Sequence, residues 1–76
     1  MEFKTIFSER LLNLRKRAGE TQEELGKVIG VGKTGISEIE NGRKTTTAEK
    51  IALICAHYNV TADYLLGLID EPRRLR

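Results

Sequence analysis

Apolar residues recur along the first part of the chain at the three- and four-residue spacing of helices that bury one face. The first series predicts a helix over about residues 5–18, with Thr5 or Ser8 as its N-cap. A short lead-in at residues 1–4 precedes it, and Gly19 suits the left-handed residue that ends a helix. The apolar stripe of this helix consists of Phe7, Leu11, Leu14 and Ala18.

Two shorter apolar series follow and predict helices over about residues 22–29 and 33–40, joined by a glycine-containing turn. Thr21 and Glu24 have the spacing of a capping box at the start of the first of these helices. Gly26 lies in its middle, where glycine costs about 1 kcal/mol relative to alanine. We therefore expect another stretch of backbone to approach the helix at Gly26.

The remaining periodicity predicts two more helices. A fourth helix begins after Thr46 or Thr47, and Thr46 with Glu49 would form a second capping box. It ends at Asn59, a residue type that tolerates the left-handed conformation. A short fifth helix, capped by Thr61, runs through Leu66. Since no segment alternates with the period of a strand, the pattern predicts an all-α fold of five helices.

Composition bounds the organisation of the chain. The 76 residues allow one domain, which we assign to residues 1–69, followed by a short polar tail at residues 70–76 that we expect to be mobile. The net charge of +2 means that any nucleic-acid binding must come from local placement of cations. Cys55 is the only cysteine, and we expect a buried thiol in a reducing cytoplasm. We see no membrane-spanning run and no signal-peptide pattern at the N-terminus.

Two helices joined by a short glycine-containing turn form a helix-turn-helix. The stretch from Gln22 resembles the helix-turn-helix of the phage-repressor and Cro superfamily, also called the XRE family. That family has glutamine first, a small residue fifth and glycine ninth, here Gln22, Gly26 and Gly30. Its apolar positions are matched by Leu25, Ile29, Val31, Ile36 and Ile39, and its later motifs by Glu40-Asn41-Gly42 and Asp63-Tyr64-Leu65-Leu66-Gly67. The resemblance covers residues 10–67 and implies a five-helix lambda-repressor-like DNA-binding domain with its helix-turn-helix at helices 2 and 3.

The second helix of such a motif enters the major groove with its N-terminal residues against base edges. The exposed positions of the third helix are therefore the candidate base contacts: Lys33, Thr34, Ser37 and Glu38. Lys33 could donate to guanine, Thr34 could contact a base or a thymine methyl group, and Glu38 could accept from cytosine N4. An acid near phosphates is repelled unless a donor satisfies it, so Glu38 is equally well interpreted as a solvated carboxylate on the helix face. Gly32 and Gly35 replace the small hydroxyl residues usual in the family, so we expect few direct base contacts and more reading of DNA shape.

Other polar residues are candidates for phosphate contacts, which position a protein on DNA. Gln22 matches the family's phosphate-binding glutamine, and Asn41, Arg43 and Lys44 follow the recognition helix. Their structural alternatives are an ordinary first-turn glutamine, a left-handed asparagine and solvated loop cations. By resemblance, Arg15 and Glu40 form an ion pair between the first and third helices.

Enzymatic alternatives find little support in the sequence. Residues 30–35 read Gly-Val-Gly-Lys-Thr-Gly, but a dinucleotide fingerprint must follow a strand, whereas this stretch follows a helix. His57 has no acidic partner that the sequence identifies, and no Cys/His cluster has metal-ligand spacing. We therefore expect no catalytic site, no cofactor and no metal.

The resulting hypothesis is a sequence-specific regulator of transcription that binds double-stranded DNA. We expect a repressor that binds a palindromic operator as a homodimer, with no membrane association. The alternative is an antitoxin-like module that binds a protein partner and contacts DNA secondarily. Leu65, Leu68 and Ile69 could supply an apolar surface for either a second copy or such a partner.

Overall fold

A computed structural model describes residues 3–76, and this part of the chain forms five helices and no strand. The helices are α1 (Phe3–Arg17), α2 (Gln22–Ile29), α3 (Lys33–Glu40), α4 (Ala48–Tyr58) and α5 (Ala62–Leu65). The predicted all-α class is confirmed, and the bounds of α2 and α3 agree with the sequence pattern. The predicted fifth helix is one residue too long, because Leu66 is its C-cap.

The apolar faces of the helices meet in one core. α2 packs against α3 and α4, α1 packs against α3 and α5, and α4 packs against α5. Cys55 is 4% exposed in this core, which confirms the expected buried thiol, and this burial raises the pKa of the thiol. Leu65 is fully buried, so its assignment to a partner surface was wrong, whereas Leu68 is 65% exposed. The core cluster comprises Phe7, Leu11, Leu25, Ile29, Ile36, Ile39, Ile54, Cys55 and Leu65.

The start of α1 differs from the prediction. The helix already includes Phe3 and Lys4, and residues 1 and 2 of the predicted lead-in lie outside the described residues. Ser8 is buried inside the helix, where its hydroxyl group lies 2.6 Å from the carbonyl oxygen of Lys4 and 2.7 Å from that of Ile39. Neither Thr5 nor Ser8 is therefore a cap, and Ser8 instead connects α1 to the end of α3.

The turn between α2 and α3 follows the sequence signals closely. The N–H of Glu24 donates to Thr21 Oγ1 (3.0 Å) and the N–H of Thr21 donates to Glu24 Oε1 (2.8 Å), which confirms the capping box. Gly30 ends α2 in the left-handed conformation. The carbonyl of Gly26 accepts from the N–H groups of Gly30 (2.8 Å) and Val31 (2.9 Å), and a Cβ atom on Gly26 would overlap the Val31 carbonyl oxygen. This close approach confirms the expectation for Gly26 and fixes the turn that sets α3.

The ends of α4 show one confirmed and one wrong prediction. Thr47 is the N-cap and accepts from the N–H of Lys50 (3.2 Å), so Thr46 is not the cap. The helix begins one residue later than a Thr46 cap requires, which moves Glu49 away from the third position and removes the predicted capping box. Asn59 ends α4 in the left-handed conformation, as predicted.

The chain beyond α5 lies against the helices. The N–H of Thr61 donates to the carbonyl of Arg73 (2.9 Å). Arg10 on α1 donates to the carbonyl of Ile69 (2.7 Å) and lies 3.7 Å from the carboxylate of Asp70. Residues 70–76 are nevertheless exposed to solvent along their whole length.

Candidate nucleic-acid interface

The outward face of α3 carries the four residues predicted to contact bases. Lys33 and Thr34 in the first turn are exposed, and Ser37 and Glu38 one turn later are partly exposed. Ile36 and Ile39 are buried on the opposite face. The helix is thus anchored by its apolar side and presents a continuous polar side, as the helical spacing indicated.

The N-termini of α2 and α3 lie side by side. Thr21, Gln22 and Glu23 from α2 and Lys33 from α3 line an open depression of about 270 Å³ between them. The first N–H groups of a helix have no partners within it and carry partial positive charge. The structure therefore brings Lys33 and Gln22 to one place, where an anionic group would meet a cation and a helix N-terminus.

Gln22, which lines this depression, also belongs to a hydrogen-bonded network. Its amide nitrogen donates to Glu40 Oε1 (3.0 Å). Glu40 also accepts from Arg15 Nε (2.6 Å) and Nη2 (3.0 Å), and the two side chains are only 4% and 12% exposed. The predicted ion pair between α1 and α3 is thus present. This network holds the Gln22 side chain beside the recognition helix, and the amide has a second N–H besides the one directed at Glu40.

The guanidinium of Arg15 extends the same network. Its hydrogen bond with Glu40 outweighs its burial and raises the pKa of Arg15 above its usual value. Arg15 Nη1 also donates to the carbonyl of Glu20 (2.7 Å) in the turn between α1 and α2. Arg15 therefore connects α1 to α3 and to the turn, and Glu40 adds α2 through Gln22, so that the end of α3 is fixed on the scaffold.

Glu38 has the donor that a carboxylate near phosphates would need. Its Oε1 lies 3.2 Å from Lys44 Nζ. The carbonyl of Glu38 also accepts from the N–H groups of Arg43 (3.0 Å) and Lys44 (3.3 Å), so the loop after α3 folds back over the last turn of the helix. Sequence reasoning treated Lys44 as an independent phosphate contact and did not identify this pair.

Asn41, Arg43 and Lys44 are all exposed at the C-terminal end of α3, where the sequence placed them. The left-handed conformation considered for Asn41 is wrong, because its φ is −87°. Gly42, with a φ of +75°, takes the left-handed position instead. Glycine adopts this conformation without the steric cost that a Cβ atom imposes.

An open cavity of about 460 Å³ flanks α3 on the side of α4. Gly35 packs closely against Val31, because a Cβ atom on Gly35 would lie only 3.3 Å from the Cβ atom of Val31, and the opposite wall is polar. Sequence reasoning considered Thr46 and Thr47 only as helix caps and did not identify Thr45 or Lys50, although the polar loop before α4 was the signal that could have indicated this wall. The lining residues are Val31, Gly35, Ile39, Lys44, Thr45, Thr46, Thr47 and Lys50.

His57 has an acidic partner that the sequence did not reveal. Its Nε2 lies 2.5 Å from Glu20 Oε2, and the hydroxyl of Tyr58 donates to Glu20 Oε1 (2.5 Å). Burial alone would raise the pKa of Glu20, but the hydrogen bonds from Tyr58 and His57 outweigh it and lower that pKa. Burial, together with the bond to Glu20, raises the pKa of Tyr58 well above its usual value. The cluster ties α4 to the turn after α1.

Within residues 3–76, no group of His, Cys, Asp and Glu side chains has an arrangement that could hold a metal ion. None of the helices described is both long enough and apolar enough to cross a membrane.

The fold, the glycine-containing turn and the exposed face of α3 together define a helix-turn-helix protein of the phage-repressor type. The helix-turn-helix family model HTH_3 matches residues 11–65, and the chain belongs to this family.

Individual relatives support the same assignment. The uncharacterized HTH-type transcriptional regulator YobD of Bacillus subtilis is 34% identical over 67 residues, which are 88% of this chain and 60% of YobD. Antitoxin PezA of Streptococcus pneumoniae is 29% identical over 62 residues, which are 82% of this chain and 39% of PezA. The chain thus spans less than two thirds of the length of these relatives. The P22 c2 repressor, solved in complex with a synthetic operator, has a TM-score of 0.74 and 30% identity, covering 79% of this chain and 91% of that one.

Proposed function

We propose that this chain binds double-stranded DNA in a sequence-specific manner and regulates transcription, with α3 as the helix that enters the major groove. The observation that carries the proposal is the polar, exposed face of α3, held by its buried isoleucines in the fold of the P22 c2 repressor, which was solved with a synthetic operator. A helix fits the major groove, where every base pair presents a distinct pattern of donors and acceptors. The chain would act by binding rather than by catalysis.

We assign base contacts to the first two turns of α3. Lys33 would donate to guanine, and Thr34 would contact a neighbouring base or a thymine methyl group. Ser37 and Glu38 follow on the same face of the helix. The cation at Lys33 lies at the positive end of a helix, which is locally unfavourable. Binding to guanine or phosphate would offset this cost.

Phosphate contacts would flank the base contacts on both sides. Gln22 stands at the N-terminus of α2, and Asn41, Arg43 and Lys44 stand beyond the C-terminus of α3. Gln22 lines the same depression as Lys33 at the start of α3, and its side chain also reaches Glu40 at the end of that helix. Phosphate contacts fix register and orientation rather than sequence.

The operator we propose is an inverted repeat bound by two copies of the chain. Helix-turn-helix dimers bind half-sites about one helical turn apart, so the symmetry of the protein is repeated in the DNA. The mode of action we propose is repression, in which the bound protein occupies the operator in the cytoplasm. The DNA-binding domain would be residues 1–69, with residues 70–76 as a short tail.

The proposal is tested by selecting binding sites from a pool of randomised duplexes and titrating the enriched site at two salt concentrations. We expect an enriched inverted repeat and an affinity that falls with salt, because phosphate contacts release counterions. Lys33→Ala should weaken binding by about 1–3 kcal/mol, while Lys27→Ala on the exposed side of α2 serves as a matched control. Equal affinity for every duplex would rule out the proposal that the chain is a sequence-specific regulator.

A protein-binding role is the second candidate, favoured by the similarity to antitoxin PezA. In that case, DNA binding would be feeble and without preference. Leu68 and Ile69 after α5, of which Leu68 is strongly exposed, would then be the first residues to examine as a partner surface.

A further inference from the structure

Glu38 and Lys44 are the only ion pair on the outward face of α3 within residues 3–76. Nζ of Lys44 lies 3.2 Å from Oε1 of Glu38, and the two side chains are 64% and 32% exposed. An exposed pair of this kind contributes little to stability, because solvent screens it and both side chains lose freedom. We therefore expect the pair to contribute little to the stability of the fold.

The backbone brings Lys44 to Glu38 independently of the charges. The left-handed Gly42 turns the chain after α3, and the N–H groups of Arg43 and Lys44 both donate to the Glu38 carbonyl. The loop is thus folded onto the residue whose carboxylate it neutralises. Main-chain hydrogen bonds thus hold Lys44 close to Glu38 in addition to the ion pair.

A carboxylate can accept from more than one donor at the same time. Oε1 of Glu38 is the oxygen beside Lys44, and the second oxygen of the carboxylate offers a further acceptor. Glu38 lies one helical turn after Thr34, and residues four apart share a face of a helix. A carboxylate on this face, which it shares with the base contacts, can therefore accept from Lys44 and from a base together.

We propose that Glu38 and Lys44 act as one unit in DNA recognition, in which Lys44 is the counter-ion that allows Glu38 to accept from the exocyclic amine of a cytosine. This inference rests on the proposed function and assigns Lys44 a positioning role in place of an independent phosphate contact. A bare carboxylate would be repelled by the phosphates beside the groove. With Lys44 attached, the pair is neutral overall and keeps one acceptor for cytosine N4.

The unit makes a prediction about sequence preference. Glutamine in place of Glu38 can bind adenine through N6 and N7, which a carboxylate cannot do in the same bidentate way. Glu38→Gln should therefore replace a cytosine preference by an adenine preference at one position of each half-site. The preferences assigned to Lys33 and Thr34 should remain, because those side chains are unchanged.

The decisive experiment is a double-mutant cycle on the enriched site, combining Glu38→Gln with Lys44→Met. In the parent protein, we expect Lys44→Met to weaken binding by about tenfold or more, which corresponds to at least about 1.4 kcal/mol, because it leaves a bare carboxylate at the groove. In the Glu38→Gln variant, measured on the site which that variant itself selects, the same substitution should weaken binding by less than about threefold. Arg43→Met is the matched control. It removes the cation next to Lys44 in the sequence and should weaken DNA binding by the same factor in both backgrounds.

The outcomes separate this inference from the proposed function. Failure of the unsubstituted protein to enrich any site would overturn both. An enriched site with an unchanged base preference in Glu38→Gln, or an equal loss from Lys44→Met in both backgrounds, would overturn this inference alone. Thermal unfolding of each variant checks that the folded state is retained, which we expect for substitutions at exposed positions.

Discussion

The buried pair of Arg15 and Glu40 offers the sharpest prediction about the scaffold. Arg15→Met removes both guanidinium hydrogen bonds from Glu40, at 2.6 and 3.0 Å, and leaves a carboxylate whose side chain is 4% exposed. Gln22 then remains as its only donor within residues 3–76. Breaking one partner out of a buried pair costs about 3–5 kcal/mol, because the remaining charge is neither solvated nor neutralised.

That cost is large beside the stability of a small domain. A chain of 76 residues is expected to have a free energy of unfolding of roughly 4–11 kcal/mol, at 0.05–0.15 kcal/mol per residue. Since 1 kcal/mol shifts the melting temperature of a domain of this size by about 4–8 °C, the variant should melt at least about 12 °C lower. If the free energy of unfolding of the parent domain lies at the low end of this range, Arg15→Met would be partly unfolded at room temperature.

The assay is urea unfolding followed by far-ultraviolet circular dichroism, applied to a double-mutant cycle. Arg15→Met and Glu40→Met together remove both charges and replace them with apolar side chains of similar length. We expect the double variant to be within about 1–2 kcal/mol of the parent protein, since exchanging a whole buried pair for apolar groups is often nearly neutral. If the double variant instead loses the sum of the two single losses, the pair does not act as a coupled buried unit and the reasoning is refuted.

Three further predictions concern local features. Gly26→Ala should destabilise the domain by about 1–3 kcal/mol despite its better helix propensity, because the added Cβ overlaps the turn; an unchanged urea midpoint would contradict the close approach. Thr47→Ala should cost about 1 kcal/mol and Thr46→Ala much less, since only Thr47 caps α4; equal losses in thermal unfolding would contradict this assignment. The folded-state pKa of Glu20 is lowered, so its contribution is present above the unfolded pKa of about 4.5 and is lost as pH falls through the folded pKa. Urea unfolding at several pH values measures the difference in free energy of unfolding between the parent protein and Glu20→Gln. This difference should therefore shrink below about pH 4.5. A difference that stays constant down to acidic pH would argue against the bond from Tyr58.

Local chemistry explains which features were predictable from the sequence. The capping box of Thr21 and Glu24 involves four consecutive residues, and the unusual glycine at position 26 indicates a close approach wherever the partner comes from. The bounds of α2 and α3 follow from such signals and from apolar spacing. The resemblance to the phage-repressor family added the ion pair between Arg15 and Glu40, which spacing alone does not indicate.

The features that were missed depend on packing between distant segments. Ser8 was a reasonable cap by residue type, but its hydroxyl group bonds Ile39, which is 31 residues away. Glu20 meets His57 across 37 residues, and no local pattern brings them together. The Thr46 cap failed for a different reason, because two adjacent threonines offer the same chemistry and tertiary packing decides which of them begins the helix. The pairing of Lys44 with Glu38 was missed because the turn at Gly42 decides where the lysine side chain lies.

The central claim is that DNA meets the polar face of α3 and the N-terminus of α2. The most direct test is to follow the backbone amide resonances of the isotope-labelled chain while the selected duplex is added. We expect the largest changes at Gln22, along residues 33–38 and at residues 41–44, with little change at Leu53 and Leu68 on exposed surfaces elsewhere. Changes centred on Leu68 and the residues around it, with α3 unaffected, would contradict the claim.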